Sequence, residues 1–157
     1  MALRVGEQAP EFDVVGHQAG QSRRLRLSDF RGQKNVVLYF YPRDFTPVCT
    51  QEVCGFRDAF EELAGKDTEV IGVSVDDDAS HTRFAERYHV PFALVSDPDK
   101  TLARSYGAVS FLRDLLRSTA RITYVIDKQG KIAASFDSEL LASKHVDGAK
   151  KAIAKLG

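Results

Sequence analysis

The chain has 157 residues, of which 43% are hydrophobic and 28% charged; 22 basic and 22 acidic side chains give a net charge of zero. Such a mix is expected to fold as one globular domain, residues 1–157, that buries a core without disulfide staples or a structural metal. The balanced charge argues against nucleic acid or an anionic membrane as a partner, and no apolar run is long enough to span a bilayer.

In chain order, the opening MALRVGEQAPEF has no long apolar stretch, so no signal peptide is expected. Arg23, Arg24 and Arg26 read as the solvated face of a strand. NVVLYFYP is a continuous apolar run closed by proline. It predicts a strand buried on both faces, as in a parallel sheet. TEVIGVSVD and FALVSD read alike. Between them DASHTRFAERYHV has helical spacing, with Phe84 and Tyr88 on one side. DKTLARSYG predicts a short helix capped by Gly107. RITYVID and KIAASFD flank KQG, a hairpin with Gly130 in its turn. SKHVDGAKKAIAKL predicts a last amphipathic helix with Ser143 as N-cap. The fold class is therefore α/β, a mixed central β-sheet flanked by helices. Sites in such sheets lie at the carboxyl ends of strands, which points to the loop after NVVLYFYP.

That loop leads into TPVCTQEVC, which holds both cysteines of the chain, Cys49 and Cys54. Two cysteines are no disulfide framework. A reducing cytosol is the expected compartment, where such a pair points to redox chemistry or metal. Thr46 reads as a helix N-cap and Pro47 as the first helical residue. Cys49 then lies in the first turn, among free N–H groups and the positive end of the helix dipole. Lowering its pKa from about 8.5 to about 6 takes roughly 3.4 kcal/mol. The helix end supplies about 0.3–1, at most ~2 kcal/mol, so a cation is needed as well. Arg43 and Arg121 are the candidates.

The spacing itself carries information. Five residues on a helix are roughly 140° apart around the axis and ~7.5 Å along it. The Cα atoms are then about 8–9 Å apart, beyond the ~7 Å limit for a disulfide. Joining Cys49 to Cys54 requires the first turns of the helix to unwind. For Cys54 alone, a small buried hydrophobe fits equally well. No metal is expected, because structural zinc takes four nitrogen or sulfur ligands and the four histidines are scattered. The C-x-x-C exchange motif is absent.

YPRDFTPVCTQEVC resembles the active-site segment of peroxiredoxins, P-x-x-x-T-x-x-C, carried here by Pro42, Thr46 and Cys49. The second cysteine five residues on resembles the atypical two-cysteine subgroup called bacterioferritin comigratory protein or peroxiredoxin Q. The likeness extends to VGEQAPEFDV, to LSDFRGQKNVVLYFYP, and to RITYVID with Tyr124 where phenylalanine is usual. The resemblance implies a thioredoxin-like fold and thiol peroxidase activity on hydrogen peroxide and organic hydroperoxides. Cys49 would be the peroxidatic cysteine and Cys54 the resolving one. Arg121 would be the active-site arginine and Pro42 a shield over the thiolate. Glu52 would help hold the arginine; read on its own, it is equally a solvated helix residue. Thioredoxin or a similar dithiol would be the reductant, with no metal, flavin or haem. A monomer in the cytoplasm is expected.

The sequence departs from the subgroup at Val48, where glycine is common, and across residues 110–120. Phe45, Val48 and Phe111 suggest an apolar mouth, or equally core packing. A competing class is a thiol redox sensor that passes its oxidised state to a partner protein; rapid cycling with thioredoxin separates the two. A metal-binding module is the third, separable by metal analysis.

Overall fold

The computed structural model describes residues 2–115 and 117–156, and of Phe111 the backbone alone. Among these, seven strands form one sheet: β1 (Asp13–Gln18), β2 (Gln21–Arg26), β3 (Asn35–Phe40), β4 (Thr68–Ser74), β5 (Ala93–Ser96), β6 (Ile122–Ile126) and β7 (Ile132–Phe136). Their spatial order is β2-β1-β5-β4-β3-β6-β7. The helices are α1 (Pro47–Ala64), α2 (Asp78–Tyr88), α3 (Thr101–Ser105), α4 (Phe111–Leu115) and α5 (Ala142–Leu156).

The apolar runs became the centre of the sheet. β3, β4 and β5 are mutually parallel, and β6 joins β3 in antiparallel register. Every residue of β3 is buried, because successive Cβ atoms point to opposite faces and both faces are covered. Val36, Leu38 and Phe40 enter one core with Phe12, Leu27 and Tyr106. Val37, Tyr39 and Tyr41 enter the other, which holds Cys49, Phe56 and Phe84. The reactive-site helix α1 thus sits on the Tyr39 face, packed against α5 and β4. This is the expected α/β architecture with a mixed sheet.

Two helix ends differ from expectation. α5 starts at Ala142, so Ser143 is inside the first turn and is not the N-cap. The Ser138 hydroxyl instead accepts the Leu141 N–H at 3.2 Å, just before the helix. At the end of α3 the capping position is Tyr106. Gly107 follows it with φ of 66°, the left-handed position that glycine takes without a Cβ penalty. Gly130 has φ of 80° in the β6–β7 turn, as the hairpin requires. Arg23, Arg24 and Arg26 lie on edge strand β2, ion-paired to Glu69, Asp13 and Asp29.

Candidate active site

The register of β3 and β6 assembles the site. Phe40, the last residue of β3, pairs with Ile122, the first of β6. The chain leaving β3 toward α1 therefore passes beside Arg121, which lies one residue before β6. Residues 72 apart in sequence meet because two strands run in opposite directions.

Thr46 takes the capping backbone conformation of α1, with φ −79° and ψ 153°, and Pro47 is the first helical residue. The Thr46 side chain does not cap the helix; its hydroxyl donates to the Arg43 carbonyl at 2.9 Å. The first main-chain helical bond runs from Thr50 N–H to Thr46 O at 2.8 Å. The Val48 and Cys49 N–H groups precede it and belong to the unpaired donors of a helix start.

Cys49 is 1% exposed. The Arg121 guanidinium, the Thr46 side chain and the Arg43 main chain are the neighbours that pull its thiol toward the charged form. The single Thr46 proton serves either Arg43 O or the sulfur, so the hydroxyl can turn toward the thiol when charge forms there. The sequence argument anticipated an acidified thiol, and here the structure corrects it. Burial pushes the Cys49 thiol up, and the pull of Arg121, Thr46 and the Arg43 main chain does not offset it. Removing a thiolate from water outweighs all three in the closed site.

Arg121 is 4% exposed and Glu52 is fully buried. Glu52 lies three residues after Cys49 and so on the same face of α1. Its Oε1 accepts from Arg121 Nη1 at 2.8 Å. Burial pushes the Glu52 carboxyl up to about 8, against the pull of Arg121. Burial works against charge on Arg121, but Cys49 and Glu52 outweigh it and hold the guanidinium above its ordinary value. The solvated reading of Glu52 is thereby excluded. Arg43, the other candidate cation, directs its guanidinium elsewhere: Nη2 donates to Arg117 O at 2.9 Å, and Nη1 lies 3.9 Å from Asp76. What Arg43 offers the sulfur is its backbone.

Pro42 is buried at the start of this loop. Val48 is half-buried and Phe45 is 47% exposed. The Phe111 side chain lies outside the described residues. Cys54 is half-buried on the same unbroken helix as Cys49, and both thiols are free.

Two supporting residues escaped the sequence reading. Glu139 holds Arg121 twice: its carboxylate accepts the Arg121 N–H at 3.0 Å, and its carbonyl accepts Nε at 3.1 Å. The same carboxylate is paired with Arg113, tying α4 to the arginine. His145 of α5 lies 3.6 Å from Glu52 Oε2. Its Nε2 faces Ser138 O at 2.6 Å and its Nδ1 faces the Thr123 hydroxyl at 2.7 Å. Burial pushes His145 down, so the ring is neutral, donating to Ser138 and accepting from Thr123. No spacing rule links either residue to Cys49; only the pairing of β6 with β7 and the docking of α5 bring them there.

Residues 5–135 match the model of the AhpC/TSA family. A chloroplastic peroxiredoxin Q of Populus jackii is 39% identical over 149 residues, 95% of this chain and 68% of that protein. A peroxiredoxin bcp of Coxiella burnetii is 38% identical over 137 residues, 85% of this chain and 88% of that one. The crystal structure of the peroxidoxin BcpB from Mycobacterium tuberculosis superposes with a TM-score of 0.85 at 31% identity, covering 99% of both chains. The chain belongs to the AhpC/TSA family and is a peroxiredoxin of the peroxiredoxin Q and bcp kind, a thiol-dependent peroxidase with a thioredoxin-like fold.

Proposed function

We propose that Cys49 is the peroxidatic cysteine and Cys54 the resolving one, acting within one chain on hydrogen peroxide and organic hydroperoxides. The observation that carries this is the convergence on Cys49 of Thr46, the Arg43 main chain and the buried Arg121, all of which favour its charged form. The Cys49 thiol first gives up its proton. Its thiolate then attacks one peroxide oxygen, an S–O bond forms, and the O–O bond breaks. The leaving oxygen carries the electron pair away and takes up a proton as water or alcohol, which balances the one lost from the thiol. Charge moves from sulfur to that oxygen during the step. We assign stabilisation of that charge to the Thr46 hydroxyl, the Arg121 guanidinium and the Cys49 N–H, since fixed donors facing developing charge lower the barrier most. Pro42 keeps bulk water from the sulfur.

Cys49 is now a sulfenic acid. The first turns of α1 open, the Cys54 thiolate attacks the Cys49 sulfur, and water leaves with the sulfenic oxygen. A dithiol of the thioredoxin type reduces the disulfide by exchange. We read the chain as acting as a monomer and as one domain, residues 1–157. Among the described residues no helix is long and apolar enough to cross a membrane. We assign the chain to the reducing cytoplasm, where a cysteine pair without a disulfide framework is expected.

Intact mass and free-thiol counting after one equivalent of hydrogen peroxide test the assignment. The wild-type chain should lose both thiols and two hydrogens, with no added oxygen, and Cys49→Ser should lose all turnover. Retained turnover in Cys49→Ser, or an unreactive wild type, overturns it.

A further inference from the structure

Behind the Cys49 loop lies a second buried polar cluster that takes no part in the steps above. His81 of α2 is fully buried. Its Nδ1 is 2.8 Å from Asp44 Oδ2, and its Nε2 is 3.0 Å from the Val95 carbonyl. A carbonyl oxygen only accepts, so Nε2 carries a proton. Asp44 in turn receives the Tyr41 hydroxyl on Oδ1 at 2.5 Å and the Ser80 hydroxyl on Oδ2 at 2.8 Å. Its partners arrive as donors, as a carboxylate requires. Nδ1 must then carry a proton as well, which makes the ring an imidazolium.

Asp44 belongs to the loop that shapes the reactive site. The main chain of Arg43, the residue before it, pulls the Cys49 thiol toward its charged form. Phe45, the residue after it, has φ of 65°. A bulky side chain in the left-handed region is strained and persists only where its surroundings hold it. Thr46 comes next. The holding contacts are Asp44 itself, whose N–H donates to Asp76 Oδ2 at 2.7 Å, and the Phe45 ring against Phe84 and Tyr88.

We infer that His81 is a positioning residue for the peroxidatic step: as an imidazolium bound to Asp44 it fixes the Tyr41–Thr46 loop, and loss of its proton releases that loop. The inference rests on Cys49 being the thiol that meets peroxide. Without the Nδ1 proton, a nitrogen lone pair would face the carboxylate at 2.8 Å and Asp44 would lose its anchor. Burial works against charge on His81, yet Asp44 and the Val95 carbonyl outweigh it and hold the ring above its ordinary value. The groups facing it are Tyr41 and Asp44 from the end of β3, Asp76 after β4, the Val95 carbonyl of β5 and Ser80 on α2. Arg43, beside Asp76, is the cation near this cluster. With the pKa raised in the fold, the pairing is complete at low pH and is lost as pH rises through the folded value.

The test is single-turnover oxidation of the whole chain by hydrogen peroxide across pH, for wild type and His81→Gln, with nitrogen NMR of His81 in the wild type. Glutamine keeps an amide donor but does not titrate. The wild type should show both ring nitrogens protonated at neutral pH. It should oxidise about tenfold faster than His81→Gln there, a loss on the scale of one charged hydrogen bond. The ratio of the two rates should fall toward one over the same pH range in which the His81 signals titrate. A neutral ring at pH 7, or a ratio that does not change with pH, overturns the inference. If His81→Gln does not fold, the wild-type NMR decides on ring charge, and a neutral ring again overturns it. A wild type that peroxide does not oxidise overturns the peroxidase assignment instead, so the two failures are distinct.

Discussion

Arg121 Nη1 lies 2.8 Å from Glu52 Oε1, and the pair is closed off from water on all sides. One guanidinium therefore serves two acids, the Glu52 carboxyl and the Cys49 thiol. With its carboxyl pushed up to about 8, Glu52 is largely protonated at neutral pH. The charge of Arg121 is then left for the sulfur.

Replacing Glu52 tests this through stability. A carboxyl whose pKa is raised on folding favours the native state at low pH. That contribution is complete below the unfolded value, about 4.5, and disappears as pH rises through about 8. Glu52→Gln cannot ionise. Denaturant unfolding with both thiols reduced should show wild type losing stability relative to Glu52→Gln between those two pH values, with no further change above. Parallel curves across that range would mean that the carboxyl keeps an ordinary pKa.

Arg121 should matter to the first oxidation far more than to resolution. Arg121→Lys keeps a positive charge for Glu52 but loses the planar fork that reaches Glu139, Glu52 and Cys49 together. Loss of a donor aimed at developing charge costs about 10²–10³ in rate. Single-turnover oxidation should fall by that order, the Cys49 thiol should titrate higher still, and disulfide formation from the sulfenic acid should change little. Equal slowing of both steps would make Arg121 a structural residue.

The sheet was legible because its signals are local. NVVLYF, TEVIGVS and ITYVI are each dominated by apolar residues on both faces, the pattern of a strand covered on both sides. Pro42, Thr46 and Cys49 were legible because they sit within eight residues at a fixed helix entry. The charge state of Cys49 was not: dipole and donors can be counted along a sequence, whereas its desolvation depends on how tightly the fold closes over it. Glu139, His145 and Asp44 with His81 were missed for a related reason. Each acts through a partner distant in sequence, so only strand pairing and helix docking bring it to the site.

Gly55 sets how closely α1 and α5 approach beside Cys54. A Cβ there would lie 2.8 Å from Val146 Cγ2, and valine has little rotamer freedom to retreat. Alanine in a helix interior normally gains about 0.5–1 kcal/mol over glycine. Overpacking costs about 1–3 kcal/mol, so Gly55→Ala should destabilise the reduced chain by about 1 kcal/mol in chemical denaturation. A more stable variant would show that α5 shifts freely, and that the α1–α5 contact does not restrain the helix.

That restraint bears on resolution. Cys49 and Cys54 share an unbroken helix, on which Cα atoms five apart are about 8–9 Å from one another and cannot be bridged. Oxidation must therefore convert the start of α1 from helix to an open segment. Hydrogen exchange should be protected from Thr50 to Cys54 in the reduced chain and fast there in the disulfide form, with β3 and β4 unchanged. Far-UV circular dichroism should lose a matching amount of helix. Cys54→Ser isolates the step before opening: it should consume one equivalent of peroxide, stop as a Cys49 sulfenic acid, and pass to sulfinic acid as peroxide increases. Identical exchange in the reduced and disulfide forms would rule out the opening. Normal cycling of Cys54→Ser with thioredoxin would assign resolution to a thiol outside this chain.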